Sequence, residues 1–202
     1  CNQALLDEYP NLLIFGETWV TNPASLSYFV RNNVKFPFAC NLPGTCDFPS
    51  FAAINDGLKE SFSWDGGINR LYQALSQDFL YHDPSKMVTF LENHDTDRFF
   101  SVIGEDLNKY KMGVTWLLTA RGIPHFYYGT EVLMKNFKNP TDAEVRRDFA
   151  GGFDLGVLAL VCSKGSVPLL LSSGSLGAGA AHHIVHLLGH LERPILPLEV
   201  LT

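Results

Sequence analysis

The chain has 202 residues, of which 46% are hydrophobic and 18% charged, and its formal net charge is −6. That length supports one good core or two small domains, and the composition excludes a disordered polymer. An acidic balance without a basic stripe argues against nucleic-acid binding, and the apolar runs near residues 155–161 and 166–171 are too short or interrupted to span a bilayer.

The first apolar run is Leu12-Leu13-Ile14-Phe15. It lacks alternation, which suits a strand buried on both faces, and it leads into Gly16-Glu17-Thr18-Trp19. A second candidate strand starts at Gly44 and is cut off by Pro49. Helical stripes follow, at Phe51, Ile54, Leu58 and Phe62, and at Ile68, Leu71, Leu75 and Phe79. A loop around Trp64 to Gly67 separates them. A third strand spans Met87 to Leu91 and runs into Glu92-Asn93-His94-Asp95. The clearest helix carries Leu107, Tyr110, Val114, Leu117 and Leu118, and a fourth strand, from Ile123 to Tyr128, ends at Gly129-Thr130-Glu131.

This strand–helix alternation predicts parallel strands with helical crossovers. Strand starts fall near 12, 44, 87 and 123; the first and last intervals match the unit of about 31 residues expected in a (β/α)8 barrel of roughly 250, and the longer middle one leaves room for an inserted loop around Trp64 to Gly67. A doubly wound open sheet gives the same alternation. After Gly152 the charged residues fall to about half their earlier frequency, below a globular norm of about 25%. A run rich in Ser, Gly and Ala, from Ser172 to Ala181, replaces the earlier rhythm.

Four cysteines are present, none in a CxxC pair. Cys40 and Cys46 either close a small disulfide loop or stay as two free thiols. No secretory signal opens the chain. Its first residues read as a helix end rather than a translation start.

In parallel α/β barrels the active site lies at the C-terminal ends of the strands. Glu17, the Glu92–Asp95 group and Glu131 stand at three such ends, with Asp47 near the fourth. Carboxylates gathered on one rim suit acid/base work, because repulsion and partial burial separate their pKa values. Glycoside hydrolysis needs such a pair. Any one of these acids alone reads equally as a solvated strand-end carboxylate. Asn93-His94-Asp95 adds hydrogen-bonding groups suited to sugar hydroxyls, and Trp19, Tyr127 and Tyr128 offer rings that stack on sugars or fill a core. His182, His186 and His190, at i, i+4 and i+8, would line one face of a helix and suit zinc or nickel, although their Ala/Gly-rich surroundings are a poor helix host. No GxGxxG follows a strand, which argues against a nicotinamide dehydrogenase.

Four segments carry a resemblance. Phe90-Leu-Glu-Asn-His-Asp95 resembles the seventh-strand motif of the α-amylase superfamily of glycoside hydrolases (family 13). Phe15-Gly-Glu-Thr-Trp19 is similar to the fifth-strand motif, and Gly122 to Glu131 to the eighth-strand motif. Cys46-Asp-Phe-Pro49 is similar to the sixth-strand segment of neopullulanase- and cyclomaltodextrinase-like members. The resemblance covers residues 1–152 and implies an α/β fold: strands five to eight of a (β/α)8 TIM barrel with their helices. It implies a retaining enzyme acting on α-glucosidic bonds of starch-like glucans or maltooligosaccharides. On that likeness Glu17 would be the general acid/base and Asp95 the carboxylate stabilising the transition state. His94, Arg98, Trp19 and Tyr128 would bind substrate. The family admits calcium, but no dedicated metal site or other cofactor is evident, and a periplasmic or extracellular location suits a glucan-degrading parent.

The departures are equally specific. The family's nucleophilic aspartate belongs to the fourth strand, which cannot be placed in this chain. Without it no glycosyl-enzyme intermediate forms, so the chain alone is expected to be inactive. A catalytically inactive carbohydrate-binding or scaffold relative is the second reading, and an unrelated metal-binding protein using the histidine tail is the third. Arg146 to Gly152 resembles the lead into the eighth helix. The likeness then stops, so residues 153–202 are expected to be an irregular, non-homologous tail from a shifted reading frame or mis-joined gene, with a real, divergent C-terminal extension as the alternative. Half a barrel leaves unpaired strand edges, and self-association is expected.

Overall fold

The computed structural model describes residues 2–149. Four short strands alternate with helices: α1 (Asn2–Glu8), β1 (Phe15–Gly16), α2 (Pro23–Ser27), β2 (Gly44–Thr45), α3 (Phe48–Lys59), α4 (Asn69–Leu75), β3 (Val88–Phe90), α5 (Phe99–Val102), α6 (Leu107–Thr119) and β4 (Ile123–His125). β1 pairs in parallel with β2, and β3 with β4. A parallel bridge between Cys46 and Val88 joins the two pairs, so the strands follow chain order. A strand stands at each of the four predicted positions, but β1 shares only Phe15 with its apolar run, and Leu12, Leu13 and Phe15 are exposed rather than buried on both faces, because no chain covers that side of the strand among the described residues.

Close backbone approach explains two glycines. A Cβ at Gly44 would lie 1.9 Å from the Lys86 carbonyl oxygen, so glycine is needed where β2 passes the segment leading into β3. Gly122 has φ +106°, and a Cβ there would meet the Met87 carbonyl oxygen at 2.6 Å, just before β4 begins.

Side-chain caps set the helix starts. The Asp47 carboxylate accepts the Ser50 N–H at 3.0 Å and opens α3, with Pro49 in the first turn. Asp106 accepts the N–H groups of Asn108 and Lys109 and opens α6. The main core joins Ile54 and Leu58 of α3, Leu71 of α4, Leu91, Phe99 of α5, and Tyr110, Val114 and Leu117 of α6. Phe48, Phe51 and Phe90 form a second cluster beside the strand ends, with Phe51 and Phe90 stacked at 4.8 Å.

Two helical stripes overshoot. Helix α3 stops at Lys59, where Glu60 turns to extended backbone, and Phe62 beyond it is 77% exposed. Phe79 falls in a 3-10 turn (Asp78–Leu80) rather than on α4, and it is 66% exposed. Cys40 and Cys46 are both free thiols; burial, followed by the nearby Glu17 carboxylate, pushes Cys46 up to about 11. Among the described residues no helix is long and apolar enough to cross a membrane. The tail, its histidines and its proposed origin lie outside the described residues.

Candidate active site

Glu17 directly follows β1, and Asn93-His94-Asp95 follows β3 two residues past its end. The parallel pairing and the Cys46–Val88 bridge bring these ends together. Ligand atoms of Glu17, His94 and Asp95 lie within 4.8 Å of one another. The loop is self-braced: Thr96 Oγ1 accepts the Asn93 N–H at 2.9 Å, and Asn93 Oδ1 accepts the Asp95 N–H at 2.9 Å. His94 Nε2 stands 3.3 Å from Asp95 Oδ2.

Cations from the segment after β4 surround this loop. Arg146 donates through Nε to the His94 carbonyl at 2.8 Å, and through Nη2 to Asp95 Oδ1 and to Asp142. Lys138 donates through Nζ to the Asp95 carbonyl at 3.2 Å and through its N–H to Asp97 at 2.7 Å. The same ammonium stands 5.4 Å from the centre of the Trp19 ring. Trp19 is half exposed and stacks on Phe48 at 4.9 Å. Tyr128 is 40% exposed, and its hydroxyl donates to the Arg147 carbonyl at 2.7 Å.

Arg98 departs from its expected place on the substrate rim. It is 1% exposed and faces the buried Glu92 carboxylate at 3.4 Å. It also donates to the carbonyls of Val145 and Tyr128, and lies over the Tyr127 and Tyr128 rings. Glu92 further accepts the Phe99 N–H and the Thr130 hydroxyl. Burial raises the Glu92 carboxyl above its ordinary range despite these donors. A guanidinium so enclosed holds the β3 loop and the turn after β4 together from below; it does not touch solvent.

The other strand-end acids divide by environment. Asp47 is buried and paired with Arg121, which also donates to Asp78, so it serves as a cap and joint. Glu131 sits in a 3-10 turn (Thr130–Val132) after β4. Of the rim residues expected from sequence, Glu17, His94 and Asp95 converge, Trp19 and Tyr128 keep half-exposed rings, and Arg98 lies beneath the surface.

Three further residues belong to the neighbourhood. Arg146 and Lys138 contact the loop directly, and His125 ends β4 in register with Phe90. Burial, and then the His94 imidazole, lower the His125 pKa, partly opposed by Glu17. Arg146 and His125 both lie inside segments that resemble family motifs, so a signal for them existed. Lys138 carried none.

Calcium takes six to eight oxygen ligands. Among the described residues the one group of three or more clustered ligating side chains is Glu17, His94 and Asp95. Its imidazole and two carboxylates do not fit calcium.

The chain matches the family described as alpha amylase, catalytic domain, over residues 1–155. It is 37% identical over 144 residues to a cyclomaltodextrin glucanotransferase of Geobacillus stearothermophilus, covering 71% of this chain and 19% of that protein. It is 34% identical over 143 residues to an alpha-amylase of Niallia circulans, covering 70% and 25% respectively. The gamma-CGTase structure from Alkalophilic bacillus clarkii superposes with a TM-score of 0.53 at 31% identity, over 72% of this chain and 20% of that one. The alpha-amylase of Geobacillus thermoleovorans superposes with a TM-score of 0.57 at 23% identity, over 83% and 37%, a likeness of fold. The chain thus spans about a fifth of the length of the first curated relatives it matches. A match over more than three-quarters of its length places the chain in the alpha-amylase family.

Proposed function

We propose that residues 1–152 form strands five to eight of an amylase-type (β/α)8 barrel and supply its acid/base half. In this reading β1 to β4 are those four strands, and their monotonic parallel order supports it. The family match ending at residue 155 supports a catalytic-domain boundary near 152. Glu17 protonates the glycosidic oxygen of an α-glucan and later activates the attacking water or acceptor hydroxyl. Asp95 stabilises positive charge at the sugar ring, and His94 binds adjacent hydroxyls. Trp19 and Tyr128 present rings to the sugar faces. Arg98 acts from beneath by holding the loop that carries His94 and Asp95.

One observation carries this reading: Glu17 and the His94–Asp95 pair, from distant parts of the chain, converge within 4.8 Å at two strand ends. A retaining reaction also needs a nucleophile, and none is assigned among the 202 residues. The chain by itself is therefore expected to bind maltooligosaccharide without turning it over. Titration of the full chain with maltoheptaose, followed by tryptophan fluorescence, should show saturable binding that weakens in Trp19→Ala and His94→Ala. Absence of binding would overturn the reading. Release of reducing ends by this chain alone would place the nucleophile within it.

Leu12 and Leu13, just before β1, and Phe15 within it are exposed, and this supports self-association when the chain is expressed alone. The double substitution Leu12→Lys and Leu13→Lys should shift the chain toward monomer in analytical ultracentrifugation.

A further inference from the structure

We propose that Glu17, His94 and Asp95 form a binding site for a borderline transition-metal ion such as zinc(II) or cobalt(II). One imidazole and two carboxylates are ligand types that zinc accepts, and three such ligands leave a fourth tetrahedral position for water. The geometry is nearly formed. Ligand atoms about 2.0–2.2 Å from a tetrahedral zinc lie about 3.3–3.5 Å apart, and His94 Nε2 stands 3.3 Å from Asp95 Oδ2. Glu17 reaches to within 4.8 Å of both and is exposed, so rotation of its side chain can bring a carboxylate oxygen to the third position.

Arg146 prepares the site in two ways. It occupies Asp95 Oδ1 and leaves Oδ2 turned to the imidazole. It also offsets one of the two carboxylate charges, so the pair tolerates close approach before an ion arrives. The half-exposed His94 and the exposed Glu17 leave a path for a hydrated ion. A bound ion would hold the Glu17 carboxylate and keep a proton off it, so metal and glucan would exclude one another. That consequence rests on the functional reading above, whereas the binding itself rests on the geometry alone.

The test must separate this site from His182, His183, His186 and His190, which also offer imidazoles. The full chain with those four residues replaced by asparagine is titrated with zinc chloride by calorimetry, and with cobalt(II) by visible absorption. One ion per chain is expected. His94→Ala and Glu17→Gln should each weaken binding about tenfold or more, and calcium should bind far more weakly than zinc. No saturable equivalent, or His94→Ala binding zinc as tightly as its parent, would overturn the proposal. If the asparagine background fails to fold, equilibrium dialysis of the unaltered chain should lose one zinc equivalent on His94→Ala, and an unchanged count would overturn it. Zinc binding without maltoheptaose binding defeats the functional reading alone; maltoheptaose binding without zinc binding defeats this proposal alone.

Discussion

The segment that carries Asp95 is packed far more tightly than the segment that carries Glu17. Every residue of β3 is buried, and Leu91, Glu92, Arg98 and Phe99 around its loop are each at most 2% exposed. On the other side Leu12, Leu13, Phe15 and Trp19 are each more than 40% exposed. Glu17 depends on a two-residue strand whose Gly16 carbonyl accepts the Cys46 N–H at 2.9 Å and the Thr45 hydroxyl at 2.8 Å. The two sides of one site are therefore secured by different means, a buried ionic network for one and a short parallel pairing for the other.

The contrast breaks most sharply at Arg98. Arg98→Ala leaves Glu92 buried without its cation, and stability measured by urea unfolding should fall by about 3–5 kcal/mol. Gly113 tests the packing beneath the same loop: a Cβ there would lie 2.4 Å from Phe99 Cζ. Gly113→Ala should cost about 1–3 kcal/mol in the same assay, because α6 must move off α5. On the Glu17 side, Trp19→Ala removes the stack on Phe48 and should cost only about 0.5–1.5 kcal/mol beyond lost burial. A cost at Trp19 equal to that at Arg98 would erase the distinction.

The smallest effect is a pH dependence. His125 has its pKa lowered by burial and by the His94 imidazole. Its contribution to stability is therefore full above the free-histidine value of about 6.5, and is lost as pH falls through the lowered folded value. His125→Asn removes that titration, so between pH 7.5 and 5 the melting temperature should fall less in the variant than in the parent.

Much of this was legible in the sequence because strand spacing and strand-end polarity are local signals. The four strand positions followed from them, while the choice of Glu17, His94 and Asp95 among the strand-end residues came from the family resemblance. Phe62 and Phe79 were misplaced because a periodic stripe does not reveal where a helix stops. Glu60 leaves helical backbone, and the 3-10 turn at Asp78 breaks the register. Arg98 was misplaced for a different reason. Its partners at Tyr128 and Val145 are distant in sequence, so only the folded chain shows that a charged side chain beside the site lies under it. Lys138 escaped notice because its hydrogen bond runs to a backbone carbonyl, which no residue pattern encodes.

The parallel pairings also bear on how the chain folds. Phe15 pairs with Gly44, Cys46 with Val88, and Val88 with Ile123, so no strand meets its neighbour through a hairpin. Each contact closes a loop of tens of residues before any hydrogen bond between the strands forms. High contact order of this kind slows folding relative to a helical bundle. During synthesis β1 and β2 emerge and can pair well before β3. In the folded chain the Cys46–Val88 bridge is the contact that sets the β1 side, with Glu17, beside the β3 side, with Asp95.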